Sequence, residues 1–156
     1  MKKLNYLWML GLLLFAAVNF SACSSDDDDA PGSSSELVGL WECISSKGWE
    51  KCNGEIEDEW NETNVGLRVK LNADGSYAEY DCDGGEWEVD YTGKWEYKGN
   101  KIYLTYYDDY EDKYYTDFAT VKELDANRVV LESTWEENDG GYIWEGYSLQ
   151  VFKKID

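Results

Sequence analysis

Val65-Gly66-Leu67-Arg68-Val69-Lys70-Leu71, then Asn72-Ala73-Asp74-Gly75, then Ser76-Tyr77-Ala78-Glu79-Tyr80-Asp81-Cys82 is the stretch that decides the fold. Val65, Leu67, Val69 and Leu71 alternate with Gly66, Arg68 and Lys70, the period-two pattern of a strand with one buried face. The four residues after Leu71 are turn formers, and the next segment is again rich in strand formers, so the unit reads as a hairpin. The same rhythm extends in both directions. Upstream lies a strand over 39–47, followed by a long connection over 48–64. Downstream, aromatic and β-branched residues alternate with charged ones over 91–97, 101–107, 114–124, 128–135 and 142–152, with Gly-, Asn- and Asp-rich turns between. Every connection but the first is short, which argues for antiparallel neighbours in chain order. Eight hairpin-linked strands close into an all-β, eight-stranded antiparallel up-and-down barrel, an arrangement without exposed edges.

The N-terminus is built differently. Lys2 and Lys3 precede an apolar stretch from Leu7 to Phe20, and small residues Ser21 and Ala22 follow. A charged start, an apolar middle and a small-residue end make a secretory signal peptide over 1–22. The apolar part is too short for a membrane-spanning helix, which needs about 20 residues. Residues 23–36 hold Ser, Asp, Gly and the only proline, Pro31, with almost nothing apolar. They cannot bury enough surface to order themselves and read as an acidic tether. The domain is then 37–156, enough for one modest core.

Composition excludes several function classes. The net charge of the whole chain is −19, and losing Lys2 and Lys3 with the signal leaves 12 basic residues against 33 acidic ones. Nucleic-acid binding, which rests on Lys and Arg neutralising phosphates, is not expected. Such a charge favours a soluble monomer. Without a single histidine, Ser-His-Asp and Cys-His nucleophilic systems and His-ligated zinc are out of reach. Paired carboxylates could in principle hydrolyse glycosides, but 33 acids always place some pair at a tempting distance. The chain reads as a non-enzyme without a cofactor. The oxygen-rich loops lack an Asp-x-Asp-x-Asp-Gly calcium motif, and no metal site is assigned.

Two resemblances sharpen this reading. Phe20-Ser21-Ala22-Cys23 resembles the lipobox of bacterial lipoproteins, and Asp26–Asp29 resembles the surface-export signal of Bacteroidetes lipoproteins. The resemblance implies cleavage before Cys23, acylation of its sulfur, and an outer-membrane anchor with the domain facing the cell exterior. In the domain, Gly39-Leu40-Trp41 resembles the first-strand Gly-x-Trp of lipocalins. Leu71-Asn72-Ala73-Asp74-Gly75-Ser76-Tyr77, Gly93-Lys94-Trp95-Glu96-Tyr97, 119–131 and 147–153 resemble successive pieces of small bacterial lipocalin-like domains. The likeness spans 37–155 in the right order and implies a ligand-carrying barrel. Lipocalins pack a late arginine over the first-strand tryptophan. Here the only arginines are Arg68 and Arg128, neither in the last strand, so Trp41 lacks that partner unless Lys153 or Lys154 substitutes.

Strand phase gives the expected interior: Trp41, Cys43, Leu67, Val69, Trp95, Tyr97, Ile102, Leu104 and Tyr106 point inward. They either fill the barrel or line a cavity for one small apolar or amphipathic molecule. Strand order puts the acidic connections 48–64, 83–87, 108–113 and 136–141 at the end opposite the tether, so an anionic ligand is disfavoured there. Trp49, Trp60, Trp87, Tyr103 and Tyr107 offer an alternative, stacking on sugars in a surface glycan-binding module. A third reading is a surface protein with no small ligand. With Cys23 assigned to lipid, Cys43, Cys52 and Cys82 remain. Cys52, in the long first connection, is expected to bridge Cys82 and pin that connection as a lid. Cys43–Cys52 is the competing pair.

Overall fold

The computed structural model describes residues 32–156, so the signal segment 1–22, Cys23 and Asp26–Asp29 lie outside the described residues. A single helical turn, α1 (Ser34–Leu37), leads into nine strand segments. These are β1 (Gly39–Cys52), β2 (Glu55–Thr63), β3 (Leu67–Leu71), β4 (Ser76–Asp83), β5 (Glu86–Lys98), β6 (Lys101–Asp108), β7 (Lys113–Asp125), β8 (Arg128–Asp139) and β9 (Tyr142–Lys154). Neighbours pair antiparallel in the order β2-β1-β3-β4-β5-β6-β7-β8-β9, and β1 also pairs with β9, which closes the sheet.

Nine segments make an eight-stranded barrel because β2 and β3 share one position. β3 pairs with the start of β1, Leu71 to Arg68 opposite Gly39 to Glu42, and β2 pairs with its far half, Thr63 to Glu55 opposite Ser45 to Cys52. They are two halves of one strand, broken where Asn64 (φ 58°) and Gly66 (φ 75°) take left-handed conformations. Parity is therefore that of the expected barrel. The turns after β1, β4, β6 and β8 lie at the end opposite α1, and the acidic connections share that mouth. The connection over 48–64 is not a loop, however. It is the top of β1, an Asn53-Gly54 turn with both φ values positive, and β2.

The lower half of the barrel is packed. Leu37, Trp41, Cys43, Leu67, Leu71, Tyr77, Trp95, Ile102, Val121, Val129 and Phe152 form one buried cluster, with Val69, Tyr97, Leu104 and Tyr106 against it. Two tryptophans seal the tether end in the same way. Trp41 Nε1 donates to Leu37 O at 2.7 Å, and Trp95 Nε1 donates to Asn72 O at 2.8 Å. Both belong to Gly-x-Trp triplets, and Gly93 is required by packing, since a Cβ there would stand 2.0 Å from Thr105 O. Lys154 takes the place over Trp41, with Nζ 5.1 Å from the ring centroid and 3.2 Å from Glu36 O. The end of the segment read as tether is thus ordered: Ser33 and Glu36 form a capping box that starts α1 and drops Leu37 into the core.

The disulfide expectation is overturned. Cys43, Cys52 and Cys82 are all free thiols. The expected Cys52–Cys82 bridge treated the first connection as mobile, whereas Cys52 is fixed by pairing with Glu55 and Trp144 at the top of β1. Cys82 N donates to Gly66 O, and Gly66 lies at the level of Ile44, whose carbonyl accepts from Asn64 N. Eight residues of strand separate Ile44 from Cys52, roughly 25 Å, far beyond the reach of a disulfide. Cys43 and Cys52 are nine residues apart on the same strand and are equally unable to meet. Cys43 serves instead as a small apolar residue, 1% exposed, its thiol pushed up to about 12 by burial.

Candidate functional site

Above the packed half, the inner wall changes character because polar residues occupy inward phase. Tyr77, in the core, is followed two residues later on β4 by Glu79, which faces Tyr91 across the β4–β5 pair. On β7, Asp117 stands opposite Leu104 and Tyr115 opposite Tyr106. These registers bring Glu79, Asp117, Tyr77, Tyr91 and Tyr106 to one level of the interior. The Tyr106 hydroxyl donates to the Asp117 carboxylate, and its ring tilts against Tyr91 at 4.9 Å between centroids.

Electrostatics mark this level. Burial raises Glu79 to about 7, with Asp90, Asp117 and Asp81 adding repulsion. Asp117 is likewise raised to about 7 by burial, against the hydrogen bond from Tyr106 that favours its charged form. Tyr77 and Tyr106 are pushed up by burial and by the nearby carboxylates, so both stay protonated donors. Two carboxyl groups near neutrality, beside phenol donors on an apolar floor, can bind a polar or cationic head and accept or donate hydrogen bonds to it. Among the described residues, no three His, Cys, Asp or Glu side chains converge to hold a metal ion.

A surface cleft lies on the Tyr91 side of the cluster. β5 and β6 pair only from Gly93 opposite Tyr106 downward, and above that rung they diverge. The gap is a cleft of about 450 Å³ lined by Asp90, Tyr91, Thr92, Tyr107, Asp108, Asp109 and Tyr110. Its volume falls in the range of small-molecule sites. Tyr91 forms one wall and reaches the interior acids behind it.

The residues expected to line a ligand cavity are brought together, but as a floor. Trp41, Leu67, Trp95 and Ile102 are buried in the packed cluster, and Val69, Tyr97 and Leu104 support it. Of the eight, only Tyr106 belongs to the polar level. Glu79, Asp117, Tyr77 and Tyr91 were not singled out from the sequence. The signal was available: Glu79 keeps phase with Tyr77, and Asp117 keeps phase with Ala119, so each is a charge on an inward face.

The aromatic residues weighed for sugar stacking separate. Trp49 stacks on Tyr147 at 6.2 Å on the outer face, with Lys51 Nζ 4.3 Å from its centroid. Trp87 lies under the Arg68 guanidinium at 3.8 Å. Tyr103 packs on Phe118 and Tyr107 on Tyr114, also outside. Trp60 alone of this group turns to the concave face, because the bulge at Ile44 shifts the phase of β1 by one residue. Past it, the inward rungs read Trp60–Gly48–Ser148–Ser133 and Asp58–Glu50–Gly146–Trp135 across β2, β1, β9 and β8.

Comparison with known proteins agrees with this architecture. A family model described as a lipocalin-like domain matches residues 37–131. A lipocalin-like protein from Bacteroides uniformis superposes with a TM-score of 0.50 at 16% identity, covering 77% of this chain and 99% of that one. An uncharacterized protein from Bacteroides eggerthii gives 0.46 at 16% identity, covering 76% and 98%. No curated protein matches.

Proposed function

The chain belongs to the lipocalin-like domain family, and from that premise we propose that it is a surface-anchored binding protein for a small amphipathic, non-anionic molecule. The observation that carries this reading is the buried carboxyl pair Glu79 and Asp117 on the inner wall, with Tyr91 standing between that pair and a cleft of about 450 Å³. An apolar tail would enter past Tyr91 and lie on the Tyr77, Leu104 and Tyr106 floor. A hydroxyl or ammonium head would meet the two carboxyl groups. A carboxylate head is repelled, because Asp81, Asp90 and Asp117 already crowd Glu79. Binding is the role proposed, in keeping with the lipocalin-like family, and the carboxyl pair is assigned to recognition of the ligand's head.

Three probes with one tail test it. Octylammonium and octanol should bind, and octanoate should bind at least tenfold more weakly, as read by calorimetry at pH 7.5. Glu79→Gln with Asp117→Asn should remove that discrimination. Equal binding of octanoate to the wild type would overturn the reading. The anchor is part of the same proposal, supported by the lipobox-like sequence at Cys23. Cys23→Ser should release the protein from the membrane fraction, and a mutant that survives a carbonate wash on the membrane would place the anchor elsewhere.

A further inference from the structure

The concave face above the barrel mouth carries a feature that the interior site does not use. Trp60 reaches inward from β2 and lies across Gly48, while Trp135 reaches inward from β8 and lies across Gly146. A Cβ on Gly48 would stand 2.4 Å from Trp60 Cζ2. A Cβ on Gly146 would stand 2.1 Å from both Cε2 and Nε1 of Trp135, so the ring face, not its edge, covers the glycine. The Trp60 orientation is fixed by its Nε1, which donates to the buried Ser46 Oγ at 3.0 Å. Each ring is half-buried, and register puts both on the concave face of the sheet.

Gly48 and Gly146 are diagonal neighbours on paired strands, about 7–8 Å apart. The rings therefore stand beside each other on the concave face, over a floor that includes Ser148 and Glu50. They do not face each other, so they cannot enclose an ammonium group as an aromatic cage does. The surface suits a flat, extended ligand with apolar faces and hydroxyl edges. Lys47 and Lys51 fall on the opposite face of β1, and neither rung carries a basic residue. Burial and the neighbouring Asp58 and Glu57 hold Glu50 above the ordinary carboxylate range, suiting it to hydrogen bonding with hydroxyls.

We propose that Trp60 and Trp135, lying on Gly48 and Gly146, form a stacking platform for a neutral saccharide chain, separate from the interior site. The rings take the C–H faces of successive sugar units, and Glu50 and Ser148 take their hydroxyls. The test is calorimetry on the full mature chain with maltohexaose, cellohexaose, xylohexaose and mannohexaose, and with trigalacturonate as the anionic control. At least one neutral hexasaccharide should bind and trigalacturonate should not. Trp60→Ala and Trp135→Ala should each weaken binding tenfold or more. Trp60→Phe and Trp135→Phe keep a ring over the glycine and should retain the fold and part of the affinity. Glu79→Gln should leave saccharide binding unchanged. Failure of every neutral hexasaccharide to bind overturns the proposal. So does undiminished binding by alanine variants with native circular dichroism, which would assign the rings to covering strand glycines alone.

Discussion

Raising the pH from 5 to 8 is expected to lower the melting temperature of this domain by about 10 °C, with Glu79 and Asp117 accounting for most of the drop. Both carboxyl groups titrate near 7 in the folded chain, where burial opposes their charge. In the unfolded chain they titrate near 4. Between those values the folded state holds more protons than the unfolded state, so stability is full below about pH 4 and is lost as pH rises through about 7. One unit of displacement is about 1.4 kcal/mol. Solvent reaching the pair from the mouth screens it, which leaves on the order of 3 kcal/mol for the two together. For a domain of this size about 3–4 °C accompanies each kcal/mol. The net charge of −19 pulls in the same direction through general repulsion, so the decisive comparison is between variants. Glu79→Gln with Asp117→Asn should melt higher than the wild type at pH 8 and show a much flatter profile. Parallel profiles would mean that the pair does not titrate as placed. The same groups set the ligand preference, so octylammonium should bind more tightly at pH 8 than at pH 5.

What the sequence made legible follows from what the core demands. The alternation over Val65–Leu71 and the two Gly-x-Trp triplets had to be apolar in phase because their residues seal the packed half, and they were readable for that reason. The missing arginine over Trp41 left Lys153 and Lys154 open as substitutes, and Lys154 is the one that meets the ring because it pairs with Trp41 across β1 and β9. β2 was hidden because it rises above the core, so nothing forces apolar residues into it. Its run Glu55-Ile56-Glu57-Asp58-Glu59 looks like a loop, and on an edge such charges discourage pairing with another chain. The Asn53-Gly54 turn was the one local sign of a hairpin there. The disulfide reading failed with β2, since it needed a connection free to move. Glu79 and Asp117 were hidden for a different reason: in a chain with 33 acids, only inward phase separates a buried carboxyl group from a solvated one. The Trp60 and Trp135 platform depends on the bulge at Ile44, which reverses the facing of β1 beyond it. Alternation alone would have aimed Gly48 and Glu50 outward.

Trp41→Ala is expected to cost about 4–5 kcal/mol, the upper range for emptying a buried aromatic site. Trp41 is 2% exposed and lies within the buried cluster with Leu37, Cys43 and Phe152. Three separate losses coincide. The first is packing, since the indole fills the closed end of the barrel. The second is the bond from Nε1 to Leu37 O, whose removal leaves a buried carbonyl without that donor, about 1–3 kcal/mol. The third is the Lys154 ammonium over the ring, worth roughly 0.5–1 kcal/mol at a partly exposed site. A domain of roughly 120 residues has a total stability on the order of 5–15 kcal/mol, so this one substitution removes a large share. Urea denaturation followed by circular dichroism measures it, and graded variants separate the parts. Lys154→Ala should cost under about 1 kcal/mol. Trp41→Phe keeps a ring but no donor and should fall between the two. Because Leu37 is held by the indole bond and α1 by Lys154, Trp41→Ala should also free the segment over 33–38 for proteolysis before the barrel itself is cut. A Trp41→Ala chain within 1 kcal/mol of the wild type, with that segment still protected, would show that the closed end is held by the neighbouring strands and not by the tryptophan.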